Sequence, residues 1–181
     1  ISKRLLADHP NPFWEADSHN LFGYLFNQMG QRDSAKYHFT TALQLAPRLS
    51  NTPDLVQWNQ AMILHNLGAT CSLADSLEEL SYYQRSDSLF ASLENWENRS
   101  RLWLDWANYS FSIEGDFRKA DSLLRFCIAY GEASNDIDIL QKAAQSRGYL
   151  FKNRFAKTRD TLDFQTAVAA LRRNLALPGG N

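Results

Sequence analysis

Residues 20–47 read NLFGYLFNQMGQRDSAKYHFTTALQLAP, and the order of small and aromatic residues in this stretch decides the fold. Gly23, Phe26, Gly30, Ala35, Phe39, Ala42, Leu43 and Pro47 follow one another at the spacings of a helix, a tight turn and a second helix. A helix presents positions i, i+3, i+4 and i+7 on one face. Leu21, Phe22, Leu25 and Phe26 form such an apolar stripe before the turn, and Phe39, Ala42, Leu43 and Ala46 form one after it. Gly23, Ala35 and Ala42 let two backbones approach, while Phe26 and Phe39 fill the space beside them.

The same scheme recurs. Residues 104–128, LDWANYSFSIEGDFRKADSLLRFCI, carry Ala107, Phe111, Gly115, Phe117, Ala120, Leu124, Cys127 and Ile128, and the turn glycine again stands five residues before the key alanine. A further copy places Ala61, Leu64 and Gly68 in its first helix and Ser86, Phe90 and Leu93 in its second, with an insertion near 69–85 between them. SDSLF (86–90) and ADSLL (120–124) coincide over a step of 34 residues, and ADSLE (74–78) echoes both. A degenerate fourth copy pairs Ala144, Gly148 and Phe151 with LDFQTAVAALRRNL (162–175). Gly30, Gly68 and Gly115 read as left-handed helix stops, where a β-branched replacement costs about 1 kcal/mol or more. Thr52-Pro53-Asp54 reads as a helix start, with a capping hydroxyl, a first-turn proline and a carboxylate near the positive end of the dipole.

A repeating helix–turn–helix unit of about 34 residues with these small and aromatic positions resembles the tetratricopeptide repeat (TPR) family. The resemblance covers residues 14–177. It implies an all-α fold, a right-handed superhelix (α-solenoid) of about four antiparallel helix hairpins. His19 departs from the family pattern, which often has Trp there, and so does Arg32, where an aromatic usually follows the turn glycine. Residues 1–13, which begin with ISKRLLADHP (1–10), read as the tail of a preceding repeat helix, and 178–181 as a linker. The chain is therefore expected to be cut from a longer array. The D-S-L-rich second helices and the terminal FAKTRDTLDFQTAVAALRRNLAL are similar to TPR segments that precede CHAT domains, the caspase-like peptidases of bacteria. That likeness puts any peptidase residues beyond Asn181.

Composition agrees with a helical, globular chain. The 181 residues are 44% hydrophobic and 22% charged, and the five prolines leave 54–177 without one, which favours helices. A net charge of −1 gives no whole-molecule attraction to nucleic acid or anionic membrane. No apolar run approaches the roughly 18 residues of a membrane span. Cys71 and Cys127 cannot build a disulfide framework, so a reducing, cytoplasmic setting is expected.

Catalytic groups are sparse. His9, His19, His38 and His65 lie far apart, and no histidine pair has helical metal spacing, so no catalytic residue, metal or cofactor is expected. Cys127 occupies the slot that Ala42 fills in the first copy and reads as a structural thiol rather than a nucleophile. RGYLFKNRF (147–155) has the glycine and aromatics of an RNA-recognition strand, but in an all-helical chain the likeness is accidental. Asn98-Arg-Ser100 and Asn108-Tyr-Ser110 match the glycosylation tripeptide, which has no use in a cytosolic helix.

Charge is uneven along the chain. Residues 141–181 hold eight basic residues against Asp160 and Asp163, a net +6, which leaves −7 for residues 1–140. Arg147, Lys152, Arg154, Lys157, Arg159, Arg172 and Arg173 are thus either a solvated face or a basic patch for an acidic domain, partner or phosphate backbone.

The TPR resemblance implies that the first helix of each pair lines a concave binding face. By matching residues this face would expose Asn20, Tyr24, Asn27, Trp58, Met62, His65, Asp105, Tyr109 and Ser112, the aromatic, Met and amide groups of a peptide groove. Trp58, Met62, Trp103 and Trp106 fit an inter-repeat core equally well. The family's best-known peptide mode grips a carboxylate with Lys and Arg, which this face lacks. The expected function is a non-enzymatic scaffold for a protein or peptide partner, or for an adjacent domain of the same polypeptide. A helical nucleic-acid-binding module using the basic C-terminal third is the alternative, and no membrane partner is expected.

Overall fold

Gly30 at φ +72° and Gly115 at φ +66° hold the left-handed conformation that ends a helix, as their sequence positions predict. The computed structural model describes residues 12–48, 52–70 and 76–177, and every regular element among them is helical. The expected helix tail at 1–11, His9, Cys71, residues 71–75 of the expected insertion and the linker at 178–181 lie outside the described residues.

The helices are α1 (Pro12–Gln28), α2 (Arg32–Leu45), α3 (Pro53–Thr70), α4 (Ser76–Ser92), α5 (Trp96–Tyr109), α6 (Phe117–Ser134), α7 (Ile137–Thr158) and α8 (Thr161–Ala176). A 3-10 turn, Ala46–Arg48, follows α2, and a π-helix, Ser110–Glu114, follows α5. Sequence chemistry sets most boundaries. Asp116, Asp136 and Asp160 accept from the backbone N–H groups of Lys119, Ile139 and Leu162 and so cap α6, α7 and α8. Glu94, Asn135 and Arg159 take left-handed φ values without being glycine, closing α4, α6 and α7. Consecutive helices pair as α1 with α2, α3 with α4, α5 with α6 and α7 with α8.

The chain divides into two units, Ile1–Asn95 and Trp96–Asn181. In the first, Ala35, Phe39, Ala42, Ala46, Ile63 and Leu67 form the core, with Phe26, Leu43 and Tyr82 against it. In the second, the core runs from Trp103, Ala107 and Ala120 through Leu124, Cys127 and Ile139 to Phe151 and Ala167. Glycines inside helices mark where backbones come closest. A Cβ on Gly23 would lie 2.6 Å from the Phe39 ring, and one on Gly148 would lie 2.6 Å from Leu171.

Two expectations are corrected. Gly68 is not a helix stop: it lies inside α3 without a positive φ, and its missing Cβ makes room for the Tyr83 ring, which a Cβ there would approach to 2.9 Å. The physical reason is helix length, since α3 continues to Thr70 and α4 begins at Ser76, turning part of the expected insertion into extra turns of helix. The stripe Leu21, Phe22, Leu25 and Phe26 is not a buried face either. Leu21, Phe22 and Leu25 are exposed, and α1 packs through Ala16, Gly23 and Phe26. The close approach at Gly23 turns that side of α1 toward α2 and leaves the bulkier side out.

The π-helix has a sequence cause. From Gly23 to Ala35 is 12 positions, whereas from Ala107 to Ala120 is 13. The extra residue is absorbed at 110–114, where the N–H of Gly115 reaches back five residues to the Ser110 carbonyl. An i→i+5 turn accommodates one more residue without rotating the flanking segments off their packed faces. Phe111, half-buried against the core of the second unit, meets Phe117 edge-on at 5.4 Å.

Candidate functional site

The nine residues expected on a first-helix face are distributed unequally. In the first unit, Tyr24 is exposed, and Asn20, Asn27, Trp58 and Met62 are half-buried. Asn66 donates to the Asn20 side-chain oxygen at 3.1 Å, tying α1 to α3. His65 is buried, with its ring 6.4 Å from that of Tyr83, which corrects its expected exposure: α3 packs that side onto α4. In the second unit, Asp105 and Ser112 are exposed but Tyr109 is buried, a second correction. Ser112 lies in the π-helix, so its direction is set by the inserted residue rather than by the α-helical register.

A cleft in the second unit is a stronger feature. Trp96, Trp103, Phe126, Tyr130, Ala133 and Ser134 line a volume of about 470 Å³ that is almost entirely apolar. Trp96 and Trp103 stand about two turns apart on α5, i and i+7, so both face α6. Trp103 is buried and forms the floor, with Phe126 at 5.4 Å and Trp96 at 6.4 Å between ring centroids. The rims are open: Trp96 is 48% and Phe126 54% exposed. The Arg99 guanidinium lies 4.9 Å from the Trp96 ring and 4.7 Å from the Trp103 ring, a double cation–π contact that fixes both indoles. Sequence reasoning named Trp103 only as a core candidate and missed Trp96, Phe126 and Tyr130. The W-x6-W spacing was the available signal.

A slightly smaller cleft in the first unit, about 420 Å³, is lined by Leu43, Leu64 and Leu89 together with Gln60, Gln84, Arg85 and Ser88. Also in the first unit, the structure brings together two histidines that are 19 positions apart. His19 and His38 meet through their Nδ1 atoms at 2.9 Å. Burial, and after it the His19 charge, lowers the pKa of His38 below its ordinary 6.5.

The basic residues are largely engaged. Arg147 pairs with Asp121 at 2.6 Å, Arg154 with Asp163 at 3.3 Å, and Arg173 with Glu132. Lys152 and Arg159 lie over the rings of Tyr149 and Phe155. The arginine partners Asp121 and Glu132 come from the acidic part of the chain, so folding neutralises charge that the sequence count keeps separate. Cys127 is buried and its thiol donates to the Ser100 carbonyl at 3.2 Å. Burial pushes that thiol up to about 12, which leaves no thiolate at neutral pH. Asn98 and Asn108 both lie within α5, and RGYLFKNRF lies within α7. Among the described residues there is no group of three metal-ligating side chains, and no helix is long and apolar enough to cross a membrane.

No protein-family model matches this chain, and no curated protein or solved structure matches it either.

Proposed function

We propose that this chain is a TPR-like array of helix hairpins that serves as a non-enzymatic scaffold and binds an extended or helical peptide segment of another protein or of an adjacent domain. The observation that carries the reading is the cleft at Trp96, Trp103, Phe126 and Tyr130. Exposed aromatic rims over a buried indole floor are the residues that dominate peptide and protein interfaces. Rings fixed by Arg99 lose little freedom on binding, which favours affinity. Tyr24, Asn20 and Asn27 of α1, with Trp58 and Met62 of α3, extend the same residue chemistry within the first unit.

A role within a larger bacterial signalling or CHAT-type peptidase protein, in the cytoplasm, is the setting that the sequence resemblance suggests. The nucleic-acid reading has less behind it, because Arg147, Arg154 and Arg173 already have carboxylate partners.

Selection of a random peptide library on the intact chain tests the scaffold reading. Selected peptides should lose about tenfold or more in affinity, roughly 1.4 kcal/mol, on the double variant Trp96→Ala, Phe126→Ala. Circular dichroism should show unchanged helix content. Peptides held equally well by Trp96→Ala, Phe126→Ala would remove the cleft as the site. Strong binding of RNA or DNA oligomers that weakens steeply with salt would favour the basic residues instead.

A further inference from the structure

His19 on α1 and His38 on α2 face each other across the first hairpin, Nδ1 to Nδ1 at 2.9 Å, with ring centroids 5.0 Å apart. That centroid separation is nearly the largest two imidazoles can have with their Nδ1 atoms in contact. Each nitrogen therefore points along the line to the other, as an N–H···N hydrogen bond requires. Two nitrogens chelating one metal ion would converge on a point off that line and draw the rings closer together. Phe26 stacks on His38 at 5.2 Å, and Phe22 and Tyr37 approach it at 5.4 and 5.3 Å. Those rings hold the His38 imidazole in place.

The contact counts protons. With both rings neutral, one Nδ1–H donates and the other Nδ1 accepts. With one proton added, an imidazolium donates to a neutral ring and the bond becomes charge-assisted. With two added, both Nδ1 atoms carry hydrogen, no acceptor is left, and two like charges touch. We propose that the His19–His38 contact is a proton-counting clasp between α1 and α2, closed with up to one added proton and opened by the second, which makes this hairpin releasable by acid. The clasp is independent of the interaction surface proposed above, since neither ring belongs to it.

α2 packs against α1, α3 and the 3-10 turn. Besides His19, α1 carries Glu15 and Asp17, both exposed, and Tyr24. α3 carries Asp54 in its exposed first turn and the buried His65, and the turn carries Arg48. α2 itself carries Arg32, Asp33, Lys36 and Tyr37. Among the described groups, the His19 charge acts on His38, in the direction that lowers its pKa. Below 6.5 the unfolded chain binds on His38 the second proton, which the folded pair resists. Stability is therefore full above 6.5 and is lost as pH falls through the lowered His38 value.

The test is an imidazole NMR titration of the intact chain from pH 8 to 4.5, with amide hydrogen-exchange protection followed over the same range. Two separated steps are expected, the second well below 6.5. Protection in α1 and α2 should fall about tenfold or more across that second step, while α7 and α8 stay protected. His38→Phe, packed by Phe22 and Phe26, should make hairpin protection independent of pH in this range. His19→Gln, which can donate to His38 but cannot charge, should remove the second of the two steps and leave a smaller acid loss, the part that burial of His38 causes by itself; it serves if His38→Phe does not fold. Two rings titrating independently near 6.5 would overturn the proposal, as would equal acid loss in the wild type and both variants.

Discussion

The first and third helix pairs, residues 12–45 and 96–134, follow the same scheme of small residues and a left-handed turn glycine, yet they differ in register and in polar chemistry. The first joins its helices through Gly23 against Phe39 and through an imidazole pair. The third has Ala107 where the first has Gly23, and it carries one more residue before the turn, taken up by the π-helix. Its polar link between helices is the Cys127 thiol on the Ser100 carbonyl. The close approach of two backbones is thus the shared requirement, and titratable contacts and even an added residue are accommodated around it.

The largest expected effect breaks the comparison at its polar contacts. The first pair is sensitive to acid, as argued above, and the third should be sensitive to base. The folded Cys127 thiol sits at about 12 against an ordinary 9.0. Its contribution is present below 9.0 and is lost as pH rises toward 12, when the unfolded thiol ionises and the buried one does not. Full loss is on the order of 4 kcal/mol. The difference in urea midpoint between the wild type and Cys127→Ala should shrink or reverse between pH 8 and 10.5. A difference that stays constant would mean that burial does not control this thiol.

A middle-sized effect tests the approach distance. Gly23→Ala places a methyl group within 2.6 Å of the Phe39 ring and should cost about 1–3 kcal/mol through overpacking. The reciprocal Ala107→Gly should cost about 1 kcal/mol through helix propensity alone. Urea unfolding of each variant gives both numbers. A harmless Gly23→Ala would show that the Phe39 ring yields and that the first pair tolerates the spacing of the third.

The smallest effect sharpens the register argument. Deleting exposed Ser112 restores 12 positions between the small residues of the third pair and should turn the π-helix into α-helix. The change in stability should stay below about 1 kcal/mol. The Gly115 amide should then stay protected in hydrogen exchange, bonded to the Ser110 carbonyl four residues back instead of five. Loss of the fold on deletion would mean that the π turn is required by packing rather than tolerated by it.

Much of the helical layout was legible because its causes are local. Gly30 and Gly115 end helices by backbone freedom, and Pro53 opens α3. Gly68 was misread because a glycine that ends a helix and one that admits a neighbouring ring look alike in sequence. Only the position of Tyr83 separates them. The candidate face was legible in residue type but not in exposure, since the sides of α3 and α5 that carry His65 and Tyr109 are turned inward by packing.

By itself, the sequence determined that the described chain is helical, where two of its turns fall, and which small residues sit at helix crossings, because those follow from backbone conformation and periodicity. Tertiary structure alone decided that His19 meets His38, that Trp96 and Phe126 open a cleft over Trp103, and that the arginines of the basic third find Asp121, Glu132 and Asp163. Such contacts depend on the rotation of one helix against another, and no residue spacing within a single helix encodes that rotation.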